Sequence, residues 1–177
     1  MFDLELFIAE CQAALSTSEP QQVVERLVRK AMTDVEGLKA ALGVNQGALF
    51  QPLFRSSELT VANMCAAPGS TSPVHNHLMW GVIAVYEGQE DNFLYERSGD
   101  ELEKVQTRSL KTGDVWAMPV DLIHAINNPK ENYNAALHIY GGDLVEKPGR
   151  SLWNPESDVE EAYDIRQVLA YTESLST

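Results

Sequence analysis

The chain predicts a mainly β domain, an all-β sandwich or barrel placed behind a short helical segment. Two patterns carry this reading. From about Gly47 to Tyr140, short apolar or alternating runs are separated by turn residues at close intervals, as expected of many short strands. Before them, from Leu4 to about Ala41, apolar residues recur at helical spacing.

In the first zone Leu4, Phe7, Ile8, Cys11, Ala14 and Leu15 form one stripe. Ser18, Glu19 and Pro20 read as a second helix start, with Val23, Val24, Leu27, Val28 and Ala31 on its buried face. A third helix runs from Val35 to Leu42 and stops at Gly43. These helices hold no catalytic residue types at useful spacing, so their expected role is to cover a sheet or to meet a second copy in a homodimer. Strands follow at Leu59–Cys65, then at Val74–Tyr86 after the loop APGSTSP, then at Asn92–Arg97. Others are expected near Leu102–Leu110, Asp114–Met118, His124–Asn127 and Asn134–Tyr140. Turns fall at Glu87-Gly88-Gln89, Ser98-Gly99-Asp100, Thr112-Gly113 and Asn128-Pro129. The tail carries Pro148, Pro155 and a helical stretch from about Tyr163 to Thr172. One domain over 1–177 is expected, with a helical segment at 1–46, a barrel at 47–145 and a C-terminal extension at 146–177.

Composition narrows the class. The chain has 177 residues, 44% hydrophobic and 22% charged, with mean hydropathy −0.22. A net charge of −13 argues against nucleic acid or an anionic membrane as partner, since both select clustered Lys and Arg. No stretch approaches the ~20 apolar residues of a membrane span, and the N-terminal MFDLELFIAE lacks the basic start of a signal peptide. Cys11 and Cys65 lie far apart and fit no metal spacing. A cytoplasmic protein with reduced thiols is the expectation.

The chemistry concentrates in four histidines: His75, His77, His124 and His138. Within a strand, positions i and i+2 share a face about 7 Å apart, so His75 and His77 can share one ion. A third imidazole from another strand would complete a facial set and leave coordination positions open.

The spacing around them is framed. Gly69, five residues, His75-x-His77 and then Gly88 make one unit; Gly113, five residues, Pro119, then His124, three residues and Asn128 make another. The two units resemble the cupin motifs G-x5-H-x-H-x3,4-E-x6-G and G-x5-P-x-G-x2-H-x3-N. The resemblance implies a cupin double-stranded β-helix, a jelly-roll barrel with a metal in its mouth, held by His75, His77 and His124. Gly81 and Val82 stand where the motif has glutamate, and Asp121 stands where it has glycine. Three neutral imidazoles would leave a divalent ion its full charge, which favours an anionic, soft ligand such as a thiolate on Fe(II). A His₃ set also suits zinc.

His138-Ile-Tyr140-Gly-Gly-Asp resembles the H-V-Y-G-G-(D/N) segment of the bacterial cysteine dioxygenase and 3-mercaptopropionate dioxygenase family. In that family a Ser-x-His-x-Tyr relay lies beside the iron. Residue by residue, His138 and Tyr140 match its histidine and tyrosine, and Tyr140 would donate a hydrogen bond into the site. Ala136 stands at the serine position, so the relay would lack its far end. Arg150-Ser-Leu-Trp-Asn-Pro resembles the R-H-x-F-D-P segment, whose arginine meets the substrate carboxylate, and Arg55 roughly matches the carboxylate-binding arginine of the animal enzymes. Gly81 cannot form the thioether to tyrosine found in those animal enzymes.

The expectation is therefore a non-haem Fe(II) thiol dioxygenase that oxidises a small thiol with O₂ to its sulfinic acid, with zinc or nickel as metals that could stand in as purified. The alternatives are another metal-dependent enzyme on the same barrel, such as a C–C-cleaving dioxygenase or an isomerase, and a non-catalytic small-molecule binder.

Overall fold

The computed structural model describes residues 2–44, 49–99 and 101–176. The expected boundary between helices and barrel, at residues 46 and 47, lies outside them, as does Asp100 in its expected turn. α1 (Leu4–Ala14) starts where Asp3 accepts the Leu6 N–H, α2 (Pro20–Ala31) has proline in its first turn, and a 3₁₀ turn (Met32–Asp34) leads into α3 (Val35–Leu42). The strands are β1 (Phe50–Arg55), β2 (Thr60–Met64), β3 (His75–Asn76), β4 (Gly81–Glu87), β5 (Gln89–Ser98) and β6 (Glu101–Lys111). They continue as β7 (Val115–Met118), β8 (Ile123–Asn127), β9 (Ala135–Tyr140), β10 (Ser151–Trp153) and β11 (Glu160–Ala162), before α4 (Ile165–Leu175).

These strands form two antiparallel sheets, ordered β1-β2-β9-β4-β7 and β11-β10-β3-β8-β5-β6, which is the jelly-roll expected. β4 explains why its sequence reads as an unbroken apolar run. Val82, Ala84 and Tyr86 pack outward with Val24, Val28 and Leu38 of the helices, while Ile83 and Val85 pack inward with Trp116, Met118 and Tyr140. A strand covered on both faces has no polar side to show. The N-terminal helices thus cover the five-stranded sheet, one of the two roles expected of them.

Two expectations need correction, and the extension adds strands. The strand expected over 74–86 is two, because Leu78 takes a left-handed φ of 51° and the chain leaves the six-stranded sheet at β3 to enter the five-stranded one at β4. β5 begins at Gln89, because Gly88 makes the turn in a single step at φ 76°. The extension holds the expected helix, as α4, and two short strands besides. β10 pairs with β3 through Leu152 and His75 and with β11 on its other side, so the tail is woven into the sheet that carries the histidines. None of the described helices is long and apolar enough to cross a membrane.

Candidate metal centre

Neighbouring strands of the six-stranded sheet bring three imidazoles to one point. His75 on β3 pairs directly with His124 on β8, and His77 follows one residue after β3 ends. Their ligand nitrogens all lie within 4.8 Å of one another, and all three rings are buried. Burial pushes the His75 pKa down to about 4 and holds His77 and His124 well below the ordinary imidazole value. Neutral imidazoles keep a lone pair for a cation, and nothing but burial is needed to keep them so.

The rings are also oriented. His75 Nδ1–H donates to the Pro73 carbonyl (3.0 Å), and His124 Nδ1–H donates to Asn92 Oδ1 (2.8 Å). A bond at Nδ1 is the usual support of a ring that ligates through Nε2. His77 Nε2 lies 2.9 Å from His124 Nε2, a separation that places either a proton or a cation between two acceptors. The donor set fits a divalent transition metal with open positions.

The position of the absent glutamate is tightly packed. A Cβ at Gly81 would lie 2.3 Å from Met118 Cε and 3.2 Å from the Tyr140 ring, while Val82 faces the helices. A side chain at 81 would have to displace the Met118 methyl group and press on the Tyr140 ring.

The resemblance-based residues fall on both sides of the metal point. The Tyr140 ring lies 4.8 Å from the His77 ring, and its hydroxyl is 2.9 Å from His138 Nδ1. The far end of that pair, missing at Ala136, is filled from the opposite sheet: Glu90 Oε2 lies 3.2 Å from His138 Nε2. Asn92 Nδ2 donates to Glu90 Oε1 (2.9 Å), which joins the His138 side of the site to His124. Burial raises the Tyr140 pKa further above the phenol range, so its hydroxyl stays protonated at neutral pH. Gly141 behind it donates its N–H to the Trp80 carbonyl (3.0 Å), and a Cβ there would sit 2.1 Å from Trp80 Cε2.

The two arginines differ. Arg150 is buried, stacks its guanidinium 3.4 Å from the centre of the Tyr163 ring, and brings Nη2 to 3.3 Å from His77 Nδ1. Its Nε–H donates to the Asn76 carbonyl (2.9 Å) and its Nη1 to that of Leu144. Arg55 is not brought to the site. Its fork meets Asp143 (2.7 and 3.0 Å) and reaches Glu146, at the exposed outer end of β1. A guanidinium beside two carboxylates on its own surface is already neutralised there.

A cavity of ≈ 60 Å³ opens beside the cluster, lined by His75, His77 and Tyr140 and closed mainly by apolar groups, including Ile165, Val168 and Leu169 of α4. It suits a small ligand. Glu90, Asn92 and Tyr163 were not singled out from the sequence. The available signal was the i, i+2 polar pair Glu90 and Asn92 on one face of a strand; both are buried, while Gln89, Asp91 and Phe93 beside them are half-buried.

Fold and cluster together define a jelly-roll protein with a buried three-histidine pocket able to hold a metal. The model of the cupin family matches residues 44–142, more than half of the chain, and the chain belongs to that family. Among solved structures, the cupin domain of Schizosaccharomyces pombe Cnp3 is 15% identical, with a TM-score of 0.44 over 53% of this chain and 64% of that one. A conserved Klebsiella pneumoniae protein with a double-stranded β-helix domain is 16% identical, with a TM-score of 0.47 over 61% and 85%. The DMSP lyase DddQ of Ruegeria pomeroyi is 21% identical, with a TM-score of 0.43 over 59% and 54%. The match spans less than two thirds of the first and third of these chains.

Proposed function

We propose that the protein is a non-haem Fe(II) thiol dioxygenase, with His75, His77 and His124 as ligands, a small thiol of the cysteine or 3-mercaptopropionate type as substrate, and a sulfinic acid as product. The observation that carries this reading is the all-imidazole donor set, with glycine and valine at the two positions, 81 and 82, where the motif has its carboxylate. Such a set leaves the cation's charge for an anionic ligand, and a thiolate is anionic and soft.

When bound, Fe(II) supplies the one-electron chemistry that lets O₂ react with sulfur. The protein's part is positioning. Burial keeps the three imidazoles neutral, and the apolar cavity keeps water from the sulfur. Arg150 is the candidate partner for a substrate carboxylate. Ligation of His77 through Nε2 requires its proton on Nδ1, where the Arg150 N–H now points. The guanidinium must then withdraw that donor, which becomes available to an anion. Tyr140 and His138 orient the ligand beside the metal.

The test is oxygen uptake by anaerobically prepared, Fe(II)-loaded protein offered cysteine, 3-mercaptopropionate, mercaptosuccinate and cysteamine in parallel. One O₂ consumed per thiol, lost in His124→Ala, is the expected result, with a raised KM for carboxylate thiols in Arg150→Ala. No uptake with any of the four, at full iron occupancy, would overturn the reading.

A further inference from the structure

Glu90 is the only fully buried carboxylate among the described residues, at 2% exposure, and it accepts hydrogen bonds at both oxygens. It lies in the middle of a run of buried side chains from Arg150 to Tyr140, in which Arg150 at one end can only donate and the carboxylate itself can only accept. Arginine has donors and no acceptor, so His77 Nδ1 must accept from Arg150 (3.3 Å). The proton of neutral His77 is then on Nε2, and it donates to His124 Nε2 (2.9 Å). His124 therefore carries its own proton on Nδ1 and donates to Asn92 Oδ1 (2.8 Å). That fixes the Asn92 amide, whose Nδ2 donates to Glu90 Oε1 (2.9 Å).

From the other side, a carboxylate at Glu90 must receive Nε2–H of His138 (3.2 Å). Neutral His138 then has its lone pair on Nδ1, and Tyr140 donates its single proton there (2.9 Å). A metal on His124 Nε2 leaves everything from Asn92 to Tyr140 unchanged, because it also demands the proton on Nδ1.

We infer that Glu90 is a positioning residue that draws both arms of this run toward itself, so that Tyr140 faces the cavity as a hydrogen-bond acceptor, and the ligand held beside it is one that brings a donor: an ammonium, a hydroxyl or a thiol S–H. This reverses the direction carried over with the Ser-x-His-x-Tyr resemblance, in which the tyrosine donates. A neutral serine can donate or accept at His138 Nε2; a carboxylate only accepts. The inference narrows the substrate class of the proposed site but rests on the hydrogen-bond run alone, and holds with or without oxidation of a thiol.

The experiment reads tautomers. The chain has four histidines, so two-bond ¹H–¹⁵N correlation spectra of protein labelled at histidine, recorded at pH 8, resolve every ring. In metal-free protein, protons are expected on Nδ1 of His75 and His124 and on Nε2 of His77 and His138. Zinc should move only the His77 proton, to Nδ1; failure of that shift counts against the metal site and leaves the Glu90 inference standing. A His138 with its proton on Nδ1, or on both nitrogens, overturns the inference in the unaltered protein, whatever any variant does.

Glu90→Gln supplies the second readout. The amide's one oxygen is taken by Asn92, so its NH₂ faces His138 Nε2, which drives the His138 proton to Nδ1 and turns the Tyr140 proton into the cavity. Zinc-loaded protein should bind 2-mercaptoethanol over 2-methoxyethanethiol by roughly tenfold, the worth of one donor met rather than left unmet. In Glu90→Gln, where Tyr140 donates to either oxygen, that ratio should shrink toward one. An equal ratio in the two proteins overturns the assignment of Tyr140 as acceptor.

Discussion

The two sheets of this barrel divide the work differently. The five-stranded sheet is buried on both faces at its centre, where β4 and β9 are covered outside by the N-terminal helices and inside by the barrel core. The six-stranded sheet turns an exposed face to solvent, most plainly along β6, and only its inner face is buried. Yet the exposed-backed sheet carries His75, His124, Asn92 and Glu90, while the doubly buried one contributes His138 and Tyr140. Stability and metal chemistry are thus loaded on different sheets, and they meet at the Glu90–His138 contact between them. A site can sit on a sheet with modest covering because the opposite sheet supplies the rigid wall.

The sharpest way to break this division is His124→Ala. Loss of a supporting bond behind a ligand costs about 10–100-fold in metal affinity, so loss of one of three ligands should exceed that. Zinc should wash out on gel filtration, as read by metal analysis, while the far-UV circular dichroism of the sheets stays unchanged. The converse is Leu137→Ala on β9, fully buried against the helices. It should cost about 2–5 kcal/mol, a fall of several degrees in Tm, with stoichiometric zinc binding kept below the new midpoint. Asn92→Ala joins the two cases, since it removes the acceptor behind His124 and one donor to Glu90. Zinc affinity should drop about 10–100-fold by calorimetry. Arg55→Ala should do least: its ion pairs are screened by solvent and contribute little to stability, and thiol binding should not change. A large loss of binding in Arg55→Ala would mean that the outer end of β1 reaches the site after all.

Much of this was legible in the sequence, for a reason that can be stated. The cupin motifs are written in turn glycines and in histidines at fixed offsets, and both are local. Gly88 and Gly113 do adopt left-handed φ, at 76° and 100°, which is why they punctuate the pattern. β1, β10 and β11 were not legible. β1 contains Pro52 and lies at a sheet edge, and the last two strands have three residues each, too short for alternation to register. The break at Leu78 was hidden because a leucine at positive φ leaves no mark in the sequence. Glu90 was missed for a deeper reason. Its partner His138 is 48 residues away on the other sheet, and no motif spacing encodes a contact formed only when two sheets face each other.

The contact between Gly141 and Trp80 has an evolutionary consequence. With 2.1 Å between the indole and any Cβ at position 141, Gly141 cannot gain a side chain while Trp80 keeps its place. A relative with alanine at the position of Gly141 must already have exchanged the tryptophan for something smaller. The glycine after the tyrosine is thereby a record of what stands five residues beyond His75, and the two positions should vary together across descendants of this barrel.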